Sequence, residues 1–240
     1  MIIETYSKLE KKEAEETRKH KAYFRHVSKE MKKEFENSKC VAPISVGQEI
    51  HEGDKFCAAL RLINRSFKEV IILVNDSVQW YTHAITNSSK TEKELYENAL
   101  QEGDFWIKRN THYMKDTLKI PYKLLRWDYW LQHKDFNYYL DKLWNLYRND
   151  AQYKKAIDEN IEEFLLRMKK RNIEIDYDRA YLLCLKYLLE ECASMLLWIE
   201  EKCHFQIYPQ KINKSMNATY EKLIKPMHPT LLREAPYRIR

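Results

Sequence analysis

Two short apolar runs on either side of an amphipathic segment constrain the fold of this chain more than any other feature. The runs, 40–46 and 70–74, are rich in valine and isoleucine and are predicted to be buried strands. The segment between them, 54–67, gathers its apolar residues on one side, as an amphipathic helix does. Because two parallel strands need a crossover connection, the three segments predict a βαβ unit.

The same alternation of strands and helices continues along the chain. Further helices are predicted over 91–113, 135–147, 153–171 and 178–201, and further strands over 122–127 and 203–208. The last of these helices is apolar almost all round, so we expect it to be central. The pattern predicts a Rossmann-like three-layer α/β domain with an open, mainly parallel sheet flanked by helices.

The length of 240 residues fits a single domain, 1–240. We divide it into a charged N-terminal helical segment, 1–38, a Rossmann-like core, 39–212, and a basic C-terminal segment, 213–240. Residues 4–37 are dense in lysine and glutamate and are interpreted as a solvated helix, with a basic arm that touches RNA as the alternative. The N-terminus lacks the apolar core of a signal peptide and no run reaches membrane-spanning length, so we expect a cytoplasmic protein.

Composition excludes several classes of function. The chain has only three glycines and contains neither GxGxxG nor GxxxxGK[ST], so a self-contained kinase or dehydrogenase is not expected. Its five cysteines form no CxxC pair, and we expect no metal site and no cofactor. The net charge of +6 weakly supports a polyanionic partner such as RNA.

Three polar residues fall at the predicted carboxyl ends of strands: Ser45, Asn75 and Tyr208. In open α/β sheets, ligands bind beyond these ends. We therefore expect the three side chains to converge on one site, although helix capping remains an alternative reading of the polar residues after the second strand.

The predicted central helix carries a tyrosine and a glutamate on one face, Tyr187 and Glu191. The neighbouring Glu190 has Lys186 four residues before it, and we expect the two to pair at the surface. Glu191 has no such neighbour, so burial should raise its pKa, and a cationic group of a ligand would restore its charge. This is the pattern of a site for a substrate amine. The alternatives are a glutamate hydrogen-bonded within the core or an exposed one.

A serine hydrolase is a second interpretation of Ser45. The segment 43–47 keeps only the second glycine of the GxSxG nucleophile elbow. No histidine stands in an obvious triad context among His51, His83, His133 and His204. A hydrolase is therefore possible but not favoured.

Taken together, Ile44-Ser45, Tyr187 with Glu191, and Tyr208-Pro209 resemble the motifs of the tRNA-dependent cyclodipeptide synthases. That family has a Rossmann-like fold similar to the catalytic domain of class Ic aminoacyl-tRNA synthetases. The pair Tyr208-Pro209, with Gln48 three residues after the serine, is similar to the subfamily named XYP.

The resemblance implies an aminoacyltransferase that uses two aminoacyl-tRNAs to make a cyclic dipeptide by a ping-pong mechanism through aminoacyl- and dipeptidyl-Ser45 enzyme. Ser45 would be the nucleophile, Glu191 and Tyr187 would hold the α-amino group, and Tyr208 would relay protons. No metal, cofactor or membrane would be needed. The resemblance also implies further sites, for substrate binding at Gln48, Tyr138, Pro43 and Val41 and for tRNA binding at Lys108 and Arg109. A non-catalytic tRNA-binding module with a synthetase-like fold is the alternative.

Overall fold

The computed structural model describes residues 20–87 and 89–240. Its strands are β1 (Ala22–Phe24), β2 (Lys39–Ser45), β3 (Glu69–Asn75), β4 (Tyr122–Arg126), β5 (Phe205–Gln206), β6 (Arg233–Glu234) and β7 (Tyr237–Ile239). Five of them form one sheet in the order β4-β3-β2-β5-β6, and every neighbouring pair in it is parallel. The open parallel sheet predicted from the alternating pattern is confirmed.

Helices connect these strands and cover the sheet. They are α1 (Lys29–Glu34), α2 (Gly53–Asn64), α3 (Trp80–Thr86), α4 (Glu92–Thr117), α5 (Asp128–Leu131), α6 (Phe136–Asn149), α7 (Ala151–Lys170), α8 (Tyr177–Leu197) and α9 (Lys214–Thr219). The βαβ unit β2-α2-β3 forms as predicted, and α4, α6, α7 and α8 match the four further predicted helices. No helix among the described residues is long and apolar enough to cross a membrane.

The two faces of the sheet belong to different parts of the core, because successive strand residues point in opposite directions. Ala42 and Ile72 pack in a cluster that includes side chains of α2 and α4. Val41 and Leu73 pack in a second cluster with side chains of α6, α7 and α8. The domain is therefore built of three layers, with the sheet in the middle.

Helix α8 lies at the centre of the second cluster, as its apolar sequence predicts. Its buried residues lie on several faces of the helix and run from Ala180 to Leu197. The side chain of Asp176 caps its start by accepting a hydrogen bond from the N–H of Arg179. The helix ends at Leu197, four residues before the predicted end.

A proline occupies the central strand β2 without interrupting it. β5 pairs with β2 only at Cys40 and Val41, and the carbonyl of Val41 accepts a hydrogen bond from the N–H of Ile207. Alternate residues of a strand direct their backbone groups to the same side. Pro43 therefore directs its nitrogen to the side where the pairing with β5 has already ended, so its missing N–H removes no hydrogen bond between the described strands.

A tight turn follows Ser45 and directs the chain away from the sheet. The N–H of Gln48 donates to the carbonyl oxygen of Ser45 at 3.2 Å, and Gly47 has a φ of 81° at the third position of the turn. This is the arrangement of a type II turn, in which that position favours glycine. The turn holds Ser45 as the last residue of β2.

The N-terminal prediction is wrong within the described residues. Instead of one helix over 4–37, residues Ala22–Phe24 form β1, which pairs with β7 near the C-terminus, and helix is confined to α1 and a short 3-10 turn. The part of the prediction that covers residues 1–19 lies outside the described residues. The C-terminal segment contributes a strand to each sheet, because β6 joins the main sheet and β7 pairs with β1.

Candidate active site

A cavity of about 190 Å³ lies at the carboxyl end of β2, between the sheet and α8. Ser45 lines it together with Asn75, its register partner at the end of β3, and Tyr208, which follows β5. The expected convergence of the three strand-end side chains is confirmed. The cavity is also lined by Pro43, Tyr187, Glu191, Trp198, Gln206, Met216 and the segment 210–213.

The hydroxyl groups of Ser45 and Tyr208 are joined by a hydrogen bond, with 2.9 Å between Oγ and the phenol oxygen. This is the one hydrogen bond that the Ser45 hydroxyl makes with the described residues. Burial raises the pKa of Tyr208, and the nearby charge of Glu191 acts in the same direction, whereas the bond to Ser45 lowers it. Tyr208 is therefore a neutral phenol at neutral pH, able to donate to Ser45 or to accept from it.

A histidine holds the backbone of Ser45 rather than its hydroxyl. The Nδ1 atom of His51 lies 3.0 Å from the backbone nitrogen of Ser45 and accepts its N–H. Burial lowers the pKa of His51 to about 4, so the ring is neutral and its proton is on Nε2. His51 therefore does not have the geometry of the base in a Ser-His triad, which requires a contact with Oγ.

Helix α8 forms the opposite wall of the cavity with Tyr187 and Glu191, one turn apart. The Nδ2 group of Asn213 donates a hydrogen bond of 3.0 Å to the Glu191 carboxylate. Burial raises the pKa of Glu191 to about 7, although the bond from Asn213 partly opposes this. Burial also raises the pKa of Tyr187 well above its usual range, with the charge of Glu191 as a second cause. The wall thus offers a carboxyl group that is half ionised near neutral pH beside a neutral phenol.

The neighbouring Glu190 does not form the predicted surface pair with Lys186. Its side chain is buried and accepts hydrogen bonds from the hydroxyl of Tyr81 at 2.9 Å and from Nε1 of Trp127 at 2.7 Å. Burial raises its pKa, and the two donors oppose the shift. Glu190 is a structural group of the core, whereas Glu191 faces the cavity.

The residues expected to bind substrate lie in different places. Pro43 lines the cavity, and Val41 is fully buried two residues deeper in β2, outside the lining residues. Gln48 lines a separate cavity of about 450 Å³, whose wall also includes Tyr208, Pro209 and Gln210. Tyr138 is 64% exposed and does not line the serine cavity, so the structure does not bring it to Ser45.

The two cations expected to contact tRNA both lie on α4. Lys108 is exposed, and Arg109 forms an ion pair of 2.8 Å with Glu52. Acidic side chains outnumber basic ones along α4, so this helix is not a uniformly basic surface. Unlike Arg109, Lys108 forms no ion pair with the other described residues.

Several residues of the site are missed from sequence, and two of them, Asn213 and His51, hydrogen-bond directly to Glu191 and Ser45. Asn213 caps the start of α9, because its Oδ1 accepts the N–H of Met216, and this leaves its Nδ2 to donate to Glu191. A polar residue before a short helix was the available signal, but it indicates a cap and not a site. His51 gave no signal, because its contact with Ser45 depends on the turn at Gly47.

A larger cavity of about 410 Å³ adjoins the first one. The two share Tyr187 and the segment 210–213 in their walls. The larger cavity is also bordered by charged residues of α7, Glu163 and Arg167. The shared wall gives the site two compartments, one at Ser45 and one beyond Tyr187.

Comparisons with known proteins point to one family. No family model matches the chain, and a search of curated proteins found no match. Among solved structures, a CDPS (cyclodipeptide synthase) from Fluoribacter dumoffii is 45% identical over 92% of this chain and 98% of that chain, with a TM-score of 0.88.

Two more distant structures share the fold. A cyclodipeptide synthase from Candidatus Glomeribacter gigasporarum, solved bound to Phe-tRNAPhe, is 22% identical over 84% of this chain and 88% of that chain, with a TM-score of 0.66. One from Bacillus thermoamylovorans is 13% identical over 93% of this chain and 97% of that chain, with a TM-score of 0.65.

Proposed function

The chain belongs to the cyclodipeptide synthases, enzymes that make cyclic dipeptides from aminoacyl-tRNAs, and from this premise we propose that Ser45 carries the growing dipeptide in a ping-pong reaction. The observation that supports the proposal is the Ser45 hydroxyl, bonded to Tyr208 and facing Tyr187 and Glu191 across a cavity. Tyr208-Pro209 and Gln48 support assignment to the XYP subfamily.

In the first step the oxygen of Ser45 attacks the ester carbonyl carbon of an aminoacyl-tRNA. The bond between that carbon and the ribose oxygen breaks, and the hydroxyl proton passes through the Tyr208 hydroxyl to the ribose oxygen. One ester is exchanged for another. Because the substrate ester is already activated, the step requires neither ATP nor a metal ion.

Glu191 and Tyr187 hold the α-amino group of the transferred amino acid. The cation would favour the ionised form of the Glu191 carboxyl group, which burial alone disfavours. An α-amino group has a pKa of about 8, close to that of the carboxyl group, so a proton can move from one to the other. Glu191 is therefore suited both to bind the ammonium ion and to accept its proton.

A second aminoacyl-tRNA completes the dipeptide. The amine of aminoacyl-Ser45 attacks the ester carbonyl of this second substrate, an amide bond forms, and the second tRNA leaves with a proton on its ribose oxygen. The dipeptide stays on Ser45. Its free amine then attacks the seryl ester, the ring closes, and Ser45 recovers its proton. Two aminoacyl-tRNAs are consumed per product, which implies a cytoplasmic site of action.

Expression in a bacterium, followed by mass spectrometry of the medium, tests this function. Wild-type protein should release a cyclic dipeptide and Ser45→Ala should release none. Ser89→Ala, a change at an exposed serine, is the matched control and should behave as wild type. Soluble wild-type protein that binds tRNA without forming product would favour the non-catalytic alternative, and equal product from Ser45→Ala would contradict the role of Ser45.

A further inference from the structure

Buried polar atoms without a hydrogen-bond partner are concentrated around the serine cavity. Among the described residues seven buried side-chain atoms lack a partner. Four of them belong to the two surfaces that face each other across this site: Asn75 Oδ1, Gln206 Oε1, Ser194 Oγ and Trp198 Nε1. Asn75, Gln206 and Trp198 are cavity-lining residues and are at most 5% exposed.

On α8 the unpartnered groups of Ser194 and Trp198 belong to the same helix face as the residues that are proposed to hold the amine. Tyr187, Glu191, Ser194 and Trp198 are spaced by four, three and four residues, which places them on one face of the helix. Ser194 and Trp198 follow Glu191 toward the C-terminal end of the helix. Trp198 lines the serine cavity, and Ser194 lies between Glu191 and Trp198 along the helix.

On the sheet the complementary groups share the face of Ser45. Asn75 is the register partner of Ser45, and Gln206 is the register partner of Val41, an even number of residues before Ser45 in β2. Because strand residues two apart point to the same side, both amides point toward α8. A molecule held on the Ser45 oxygen thus has Asn75 and Gln206 on one side and Trp198 on the other.

Such groups are costly to bury without partners, and buried polar atoms in proteins are nearly always hydrogen-bonded. A site built to hydrogen-bond one group of a substrate rejects an analogue that lacks the group by a factor of about 10⁴. An aliphatic side chain in this cavity would leave all of these atoms unpaired. A side chain that bears an oxygen could pair with several of them.

The hydrogen-bonding character of the unpartnered atoms narrows the class of substrate side chain further. The indole N–H of Trp198 can only donate, whereas the unpartnered atoms of Asn75 and Gln206 are side-chain oxygens, which only accept. An ammonium or guanidinium group has no acceptor for Trp198, and an ionised carboxylate has no donor for the two oxygens, whereas a hydroxyl or carboxamide group can both donate and accept. The cavity of about 190 Å³ is also smaller than the roughly 300 Å³ at which drug-sized sites begin, so it suits a compact side chain.

We propose that the amino acid carried on Ser45 has a compact side chain that ends in a hydroxyl or carboxamide group: serine, threonine, asparagine or glutamine. Asn75, Gln206 and Trp198 are the residues that select it. The proposal rests on the proposed acyl transfer to Ser45, and it names the class of substrate for the first step only.

The test offers the purified full-length enzyme each aminoacyl-tRNA separately and measures the protein by intact mass within one turnover. The expected result is an added mass for one or more amino acids of this class, at a rate at least about tenfold above that for leucine, valine or phenylalanine. Preferred transfer of an aliphatic, aromatic or charged amino acid would overturn the proposal while leaving acyl transfer intact. An absence of any added mass would reject the proposed function and this inference with it.

A matched substitution tests the role of Gln206 in selecting the amino acid. Gln206→Met keeps the length of the side chain and removes its hydrogen-bonding groups. It should lower transfer of the preferred amino acid at least about tenfold and raise transfer of methionine or leucine, whereas Gln152→Met, at an exposed position of α7, should leave both rates unchanged. An unchanged preference in folded Gln206→Met would overturn the role of Gln206.

Discussion

The two faces of the central sheet use the same strands for opposite purposes. On the side of α2 and α4, Ile44, Ile72 and Val74 are almost completely buried among apolar side chains. On the side of α8, the same strands end in Ser45 and Asn75 beside a cavity. The first face stabilises the domain through apolar burial, and the second leaves polar groups without partners until a substrate arrives.

Adjacent residues of α8 show the same contrast. Glu190 accepts two hydrogen bonds inside the core, whereas Glu191 has one donor, Asn213, and a pKa raised to about 7. Both oxygens of the Glu190 carboxylate accept a hydrogen bond, and this residue stabilises the core. The Glu191 carboxylate can still accept hydrogen bonds, and it can therefore bind a cation. The difference between the two faces is therefore testable by substitution. Changes beside the cavity should mainly lower activity, and changes in the apolar layer should mainly lower stability.

The largest expected effect is on the reaction and comes from Glu191→Gln. The substitution keeps the shape and removes the charge that holds the substrate amine, so kcat/KM should fall by about 10³. The matched variant Glu190→Gln should lower stability and alter kcat/KM much less, because Glu190 contacts Tyr81 and Trp127 and does not line the cavity. Steady-state kinetics with charged tRNA would measure both. Equal losses of activity in the two variants would remove the distinction.

Glu191→Gln also has a pH signature. The folded-state pKa of about 7 lies above the usual 4.5, so the unfolded chain ionises first as pH rises, and wild-type stability falls between pH 4.5 and 7. Glutamine does not ionise, so the variant should be more stable than wild type at pH 8, by up to about 3 kcal/mol, and similar to it at pH 4. Denaturant unfolding at the two pH values checks the sign. A variant that is less stable at pH 8 would contradict it.

The second effect compares the faces directly. Ile72→Ala should lower the free energy of unfolding by about 3 kcal/mol, because it empties a fully buried site in the apolar layer, and it should leave the transferred amino acid unchanged. Asn75→Ala should change stability by less than about 1 kcal/mol, because its side-chain oxygen has no partner to lose. It should instead slow acyl transfer. The reverse pattern would contradict the division of labour between the faces.

The third effect concerns the histidine behind the serine. His51→Phe keeps an aromatic ring and removes the acceptor for the Ser45 N–H, which should lower kcat about tenfold with little change in KM. Burial lowers the pKa of His51 to about 4, so the unfolded chain takes up a proton first as pH falls below 6.5. Wild type should therefore lose stability between pH 6.5 and 4 more steeply than the variant. Parallel pH curves would reject the buried neutral imidazole.

The smallest expected effect is on tRNA binding, and it comes from exposed side chains of α4. Lys108→Ala should weaken tRNA binding a few-fold and reduce the slope of log affinity against log salt by about 1, as expected for one lost phosphate contact. Arg109→Ala should do less, because Arg109 is already paired with Glu52. A salt titration of tRNA binding measures both. Unchanged binding in both variants would move the tRNA contact away from α4.

Periodicity predicted the layers of this fold but not the partners of individual side chains. The βαβ unit and the central α8 follow from local patterns of apolar residues, and the strand ends placed Ser45 and Tyr208 correctly. Glu190 was assigned wrongly because its partners Tyr81 and Trp127 lie 109 and 63 residues away, whereas Lys186 is a neighbour along the helix. Long-range partners leave no periodic signal.

The other errors have the same physical origin. β1 and β7 are three residues each and pair with one another although they are far apart in sequence. Neither is long enough to show a local pattern that predicts a strand. Asn213 is read from sequence as a helix cap, and only the fold brings its second amide group to Glu191.

Locating the acyl group on the protein tests whether Ser45 carries the amino acid. The purified enzyme is mixed with radiolabelled aminoacyl-tRNA, quenched in acid within one turnover and digested for peptide mapping. The label should be on the peptide that contains Ser45, it should disappear when a second aminoacyl-tRNA is added, and Ser45→Ala should carry none. Product formation without any labelled peptide, or a label on a different peptide, would contradict this role of Ser45.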